Sequence, residues 1–138
     1  MQKIKQKIEE LLEKAKKDKE ILAVIIFGSF ARGEKFEDID VCLVMGKNYD
    51  LVKAGKMRIE LSSLSDKFDV HIFQQMPLYV RARIFREGKL IFCRDRGALF
   101  DVSFETAREY EDFKPIYYSQ IGATMDSVPA GDVYLIRK

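Results

Sequence analysis

The sequence predicts one α/β (α+β) domain, with a mixed sheet of about four strands and helices mainly on one face. Two patterns and the chain length predict this class. Short apolar runs with the length of strands alternate along the chain with longer, charged stretches of helical periodicity. The length of 138 residues suits a single hydrophobic core.

Composition excludes several classes of protein. A hydrophobic fraction of 47% and a charged fraction of 33% are typical of a soluble globular chain. No apolar run approaches the ~20 residues of a membrane span, and no apolar segment follows the N-terminal lysines as in a signal peptide. We therefore expect a cytoplasmic protein without a membrane partner. The net charge of +2 gives no indication of direct nucleic-acid binding. Cys42 and Cys93 lie in apolar runs and are interpreted as unreactive core thiols.

The first twenty residues predict an amphipathic helix. Its apolar side chains recur at spacings of three and four: Ile4, Ile8, Leu11, Leu12 and Ala15. The other positions are mostly Lys and Glu, which we interpret as a solvated face.

Residues 21–44 predict two strands joined by a tight turn and a loop. Gly28 follows the first strand and permits a turn that a side chain would obstruct. Ser29 is expected to cap a short helix over residues 30–33, whose N-terminus favours phosphate. Arg32 lies about one turn further on and is expected to reach a phosphate group.

The second strand of this stretch is predicted to begin with two carboxylates. Asp38 and Asp40 are two residues apart, so their side chains share one face of a strand, whereas Ile39 and Val41 point to the other. Two like charges this close repel each other, and a divalent cation between them removes the repulsion. Mg²⁺ prefers such oxygen ligands. The strand, the phosphate-binding turn and the paired carboxylates together predict a nucleotidyl-transfer site.

The rest of the chain predicts alternating elements. They are a helix over 51–64, a strand over 68–73, a helix over 77–87, an edge strand over 89–93, a helix over 98–112 and, restarted by Pro115, a helix over 115–125. The third strand presents Asp69 and His71 on one face. Asp69 is either a third site carboxylate or the end of a loop. The only histidine is interpreted as a packed or surface residue, because one histidine cannot form a zinc site alone.

The C-terminal residues 115–138 are interpreted as a helix and tail outside the main domain of residues 1–114. Residues 133–136 are expected to form an added strand or a segment that orders on a partner. The apolar character of this segment makes it a candidate partner-binding extension.

The run G-S-F-A-R-G followed by D-I-D-V resembles the nucleotidyltransferases of the polymerase-beta superfamily, whose pattern is Gly-Ser, a spacer and Asp-x-Asp. The resemblance covers about residues 3–115 and is closest to the minimal nucleotidyltransferases, single catalytic domains commonly paired with HEPN-domain proteins in toxin–antitoxin modules. Two features depart from the pattern. The eight-residue spacer F-A-R-G-E-K-F-E is shorter than usual, and Glu37 replaces the usual serine.

The resemblance implies a set of roles. Asp38, Asp40 and Asp69 are the catalytic carboxylates and hold two Mg²⁺ ions. Gly28, Ser29 and Arg32 bind the nucleoside triphosphate, with ATP expected. The implied reaction moves AMP to a hydroxyl, expected on a tyrosine of a HEPN-domain toxin, so that the protein acts as an antitoxin.

Two other functions stay open at this stage. A non-catalytic antitoxin would neutralise a HEPN partner by binding alone, which fits the small size, the apolar tail and the short loop. A nucleotide-binding domain without turnover would bind magnesium and nucleotide tightly. The residues select neither the base nor the acceptor, and they leave a homo-oligomer open.

Overall fold

The computed structural model describes residues 2–120, with side chains for residues 3–115; the expected C-terminal strand over 133–136 lies outside the described residues. The elements in chain order are α1 (Gln2–Lys17), β1 (Ile21–Phe27), α2 (Gly28–Ala31), β2 (Ile39–Met45), α3 (Leu51–Ser62), β3 (Phe68–Ile72), a 3₁₀ turn (Phe73–Gln75), α4 (Leu78–Glu87), β4 (Lys89–Cys93) and α5 (Arg96–Gln120). None of the helices within residues 2–120 is both long and apolar enough to cross a membrane.

The four strands form one mixed sheet in the order β3-β2-β1-β4. β1 is antiparallel to both β2 and β4, whereas β2 and β3 are parallel and are joined through α3. The predicted four-stranded mixed sheet is confirmed, as is the edge position of the last strand. A parallel pair requires a crossover, and here the crossover helix connects the two strands that carry the candidate site.

Helices cover both faces of the sheet, which corrects the expectation that they lie mainly on one face. On one face, Val24 and Leu43 belong to a core with Leu11 of α1 and with α3. On the other face, Ile25 and Val44 belong to a second core with α4 and α5. The physical reason is visible in β1: its run I-L-A-V-I-I-F is apolar at every position, so both faces must be buried.

The last described helix also differs from expectation. α5 continues from Arg96 to Gln120 with Pro115 inside it, so no break occurs at the proline. Pro115 is exposed. The carbonyl that loses its helical N–H partner there is expected to be hydrated. The division into a domain of residues 1–114 and an extension of residues 115–138 stays a prediction.

Candidate active site

The register of the parallel strands brings two of the three expected carboxylates together. Asp40 of β2 pairs with Asp69 of β3, and Cys42 pairs with His71. Each of Asp40, Asp69 and His71 offers one possible metal-ligand atom, and these atoms lie within 4.8 Å of one another. His71 Nε2 is 3.0 Å from Asp69 Oδ2. We call these three residues the β2–β3 cluster.

Asp38 lies outside this cluster. β2 begins at Ile39, whose N–H donates to the carbonyl oxygen of Lys67 at 2.7 Å, and the exposed Asp38 precedes the strand. The expectation that the strand begins at Asp38 is therefore wrong by one residue. Its charge still reaches the cluster, because it contributes to raising the pKa of Asp40.

The electrostatics of Asp40 favour a bound cation. Partial burial and then the negative charge of Asp69 raise the pKa of Asp40. A divalent ion beside both carboxylates would offset this repulsion, and carboxylate oxygens suit such an ion. The two carboxylates of the β2–β3 cluster therefore fit a divalent metal ion.

Gly28 lies directly against the side chain of Asp40. As predicted, the turn at this position needs a glycine. The φ of Gly28 is +79°, a conformation that side chains disfavour. A Cβ built on Gly28 would clash with Oδ2 of Asp40 and lie 3.2 Å from its Cγ. Phe27, the residue before it, pairs with Asp40 across the antiparallel strands. A side chain at position 28 would therefore displace the carboxylate.

Ser29 does not cap the short helix as expected. α2 begins at Gly28, the N-cap position is Phe27, and no side-chain hydrogen bond caps it. Ser29 is instead a half-buried residue within α2, one position after the glycine that contacts Asp40. Ser29 therefore lies next to the residue that contacts Asp40, but it does not cap α2.

Arg32 is engaged by carboxylates. Its Nε and Nη2 donate to the two oxygens of Glu34 at 3.1 and 3.2 Å, and Nη1 lies 3.6 Å from Glu87 Oε2. The hydrogen bonds that Arg32 donates to Glu34 are the first cause that raises the pKa of Arg32, and Asp40 contributes a smaller effect. Arg32 therefore lies near the site, but Glu34 holds it in a bidentate pair.

A cavity of about 250 Å³ opens beside Gly28, between the end of β1 and α4. The strand side contributes Phe27 and Arg32, and α4 contributes Tyr79, Arg83 and Ile84. Glu87 also lines the cavity and lies 3.2 Å from Arg83 Nε and 3.6 Å from Arg32 Nη1. The apolar walls suit a planar ligand. Sequence reasoning did not identify this contribution of α4.

His71 is the other residue that sequence reasoning missed. The alternation of strand side chains already placed it on the same face as Asp69. What the sequence could not show is that a parallel neighbour brings Asp40 to that face at the matching register.

Comparison with known proteins identifies the family of this chain. The model of the family described as "Polymerase beta, Nucleotidyltransferase" matches residues 6–97, about two thirds of the chain. The chain belongs to this nucleotidyltransferase family. A protein of Methanocaldococcus jannaschii that is provisionally named a protein adenylyltransferase is 36% identical over 75 residues. That match covers 52% of this nucleotidyltransferase and 56% of the relative, so the chain spans little more than half of the relative's length.

Two solved structures have a similar fold. A chain of a toxin–antitoxin complex with AMP-PNP matches with a TM-score of 0.66 and 18% identity, covering 85% of this chain and 94% of that one. A chain of the complex between a tri-AMPylated Shewanella oneidensis HEPN toxin and MNT antitoxin matches with a TM-score of 0.65 and 18% identity, covering 88% and 97%. At these identities the similarity establishes the nucleotidyltransferase fold.

Proposed function

We propose that this nucleotidyltransferase transfers AMP from ATP to a tyrosine hydroxyl of a HEPN-domain toxin, in a Mg²⁺-dependent reaction, and so acts as an antitoxin. The observation that carries the proposal is the pairing of Asp40 with Asp69 across parallel strands, beside a glycine that leaves room for the Asp40 carboxylate. The similar structures, one with AMP-PNP and one with an AMPylated HEPN toxin, favour ATP and this acceptor.

In the proposed reaction, the acceptor oxygen attacks the α-phosphorus of ATP. The bond between this phosphorus and the oxygen that bridges the α- and β-phosphates breaks, and pyrophosphate leaves. Bound divalent ions supply the positive charge that activates the hydroxyl and stabilises the leaving group. Asp40 and Asp69 would hold one such ion, and the exposed Asp38 would contribute to holding a second. Asp69, whose side chain is 53% exposed, faces the acceptor and receives its proton.

The nucleotide is proposed to lie along the turn at Gly28 and in the adjoining cavity. Backbone N–H groups of this turn and the Ser29 hydroxyl bind phosphate oxygens, and the cavity beside α4 takes the nucleoside. Arg32 exchanges its bidentate contact with Glu34 for a phosphate, because a guanidinium binds both groups through the same pair of N–H donors. Through this exchange, Arg32 would bind a phosphate group of the nucleotide.

The experiment is transfer of label from α-³²P-ATP to a purified HEPN-domain toxin. The Asp40→Asn variant tests the site, and Asp101→Asn is the matched control, because Asp101 is an exposed carboxylate that lines a different groove. We expect label on the toxin with the unchanged chain and with Asp101→Asn, and a loss of several orders of magnitude with Asp40→Asn.

Growth rescue by the same variants tests the antitoxin role. Catalytic neutralisation predicts that Asp40→Asn fails to rescue cells that express the toxin, although it still binds the toxin. Full rescue by Asp40→Asn, with no label transferred by any variant, would replace the proposal with neutralisation by binding alone.

A further inference from the structure

The β2–β3 cluster differs from an all-carboxylate site in one donor, the imidazole of His71. His71 and Asp69 alternate with buried Phe68, Val70 and Ile72, so they leave the sheet on the face opposite the core with α1 and α3. That is the face on which Asp40 lies, two residues before Cys42 of the other core. The alternation of side chains in β3 therefore places the imidazole of His71 on the same face of the sheet as the carboxylates of Asp40 and Asp69.

One separation within the cluster matches the spacing of neighbouring ligands around one ion. Neighbouring ligands of an octahedral ion, each about 2.1 Å from the metal, are about 3.0 Å apart. His71 Nε2 lies 3.0 Å from Asp69 Oδ2. One possible ligand atom from each of Asp40, Asp69 and His71 lies within 4.8 Å of the other two, so the three residues are close enough to share one ion.

Packing restrains the imidazole in this position. The ring of Phe27 lies 6.0 Å from the His71 ring, at an interplanar angle of 57°. Phe27 belongs to β1 and pairs with Asp40, so it is fixed by the sheet. The side chain of His71 is 37% exposed, so the imidazole is accessible from solvent.

We propose that His71 is a nitrogen ligand of the divalent ion held with Asp40 and Asp69, so that this site binds Mn²⁺, Co²⁺ and Zn²⁺ in preference to Mg²⁺. The inference rests on the proposed function, since it concerns the ion of that same site. Mg²⁺ prefers oxygen ligands, whereas imidazole suits later first-row ions. Mg²⁺ present in large excess still supports the transfer through the two carboxylates.

One property of the sequence makes the test direct. The chain contains a single histidine, so untagged protein grown with ¹⁵N-histidine carries one labelled imidazole. Mn²⁺ is added to this protein and to unlabelled protein, and electron spin-echo spectra are recorded. We expect ¹⁴N modulation from a directly bound imidazole in unlabelled protein and its replacement by ¹⁵N modulation after labelling. Carboxylate-only coordination, with no modulation that changes on labelling, would overturn the inference.

Calorimetric titration with Co²⁺ and Mg²⁺ provides the second measurement. His71→Phe retains an aromatic ring for the contact with Phe27 but removes the nitrogen donors. It should weaken Co²⁺ binding by at least about tenfold while Mg²⁺ binding changes little. Equal weakening for both ions would identify His71 as a residue that only orients Asp69 by a hydrogen bond, and would overturn the proposal.

The Asp40→Asn variant separates this inference from the proposed function. If Co²⁺ binding depends on Asp40 but no imidazole signal appears, the carboxylate site stands and the role of His71 is wrong. If Co²⁺ and Mg²⁺ bind equally well to Asp40→Asn, the metal site of the proposed function is itself wrong.

Discussion

Replacing Gly28 with alanine is the sharpest test of how the backbone positions the Asp40 carboxylate. The added methyl group would clash with Oδ2 of Asp40, and alanine would have to adopt φ of +79°. The positive φ costs about 1–2 kcal/mol, and moving Asp40 away from its rotamer adds about 0.5–1.5 kcal/mol. We therefore expect Gly28→Ala to lower the free energy of unfolding by about 1.5–3.5 kcal/mol.

The effect of Gly28→Ala on activity should exceed its effect on stability. A displaced Asp40 carboxylate no longer meets Asp69 at the metal, and a shift of about 1 Å at such a group costs on the order of 100-fold in rate. Urea denaturation gives the free energy of unfolding, and label transfer from ATP, under conditions where both proteins are folded, gives the rate.

Gly55 supplies the matched control. It lies within α3, and nothing lies within 4 Å of a Cβ built there. Gly55→Ala should raise the free energy of unfolding by about 0.5–1 kcal/mol, because alanine favours the helix, and it should leave the transfer rate unchanged.

A double-mutant cycle isolates the contact between Gly28 and Asp40. In an Asp40→Ala background the clash is absent, so Gly28→Ala should cost only the backbone part, less by about 0.5–1.5 kcal/mol. An equal cost in both backgrounds would refute the contact as the reason for glycine, and a Gly28→Ala protein with normal stability and normal rate would refute the whole argument.

Three further predictions concern other parts of the chain. Asp50 accepts hydrogen bonds from two N–H groups at the start of α3, and the first of the causes that lower its pKa is one of these bonds. The stability that the Asp50 carboxylate contributes is present above its pKa in the unfolded chain and is lost as pH falls through its pKa in the folded protein. Asp50→Ala should therefore lower the melting temperature by a few degrees at pH 7 and little at acidic pH. A difference in melting temperature that does not depend on pH would contradict this. Burial raises the pKa of Cys42, whereas Cys93 is only partly buried, so a thiol reagent followed by mass spectrometry should modify Cys93 first and Cys42 only on unfolding; equal rates in the native protein would be inconsistent with the packing. Glu34→Gln should weaken the bidentate pair with Arg32 and tighten ATP binding severalfold in a fluorescent-nucleotide titration, because phosphate competes for the same guanidinium; unchanged or weaker binding would show that Arg32 does not bind the nucleotide.

Local patterns predicted much of this structure, because they depend on spacing alone. The periodicity of α1 gave its buried stripe, and Leu11 and Ala15 are indeed in the core. The turn at Gly28 and the shared face of Asp69 and His71 were predicted for the same reason, because turn residues and strand alternation are local features.

The features that sequence reasoning missed depend on partners distant in the chain. β2 begins at Ile39 because the strand pairing begins there, so Asp38 lies outside the β2–β3 cluster. His71 lies close to Asp40 because β3 pairs with β2 in this register. Arg32 is held by Glu34 and by Glu87 of α4, and no spacing rule predicts the second of these contacts.

The position of β3 at the edge of the sheet has a consequence for the integrity of the fold. β3 is hydrogen-bonded to β2 alone, and its other edge is unpaired within the described sheet. An ion shared by Asp40 and Asp69 would act as a removable cross-link between a central strand and this outer one. At a concentration about a hundredfold above its dissociation constant, an ion that binds only the folded state adds about 2.7 kcal/mol of stability. Metal depletion would then loosen β3 before the rest of the sheet and expose the edge of β2, which would be prone to aggregation. Metal supply would therefore govern both the catalytic state and the lifetime of the folded chain.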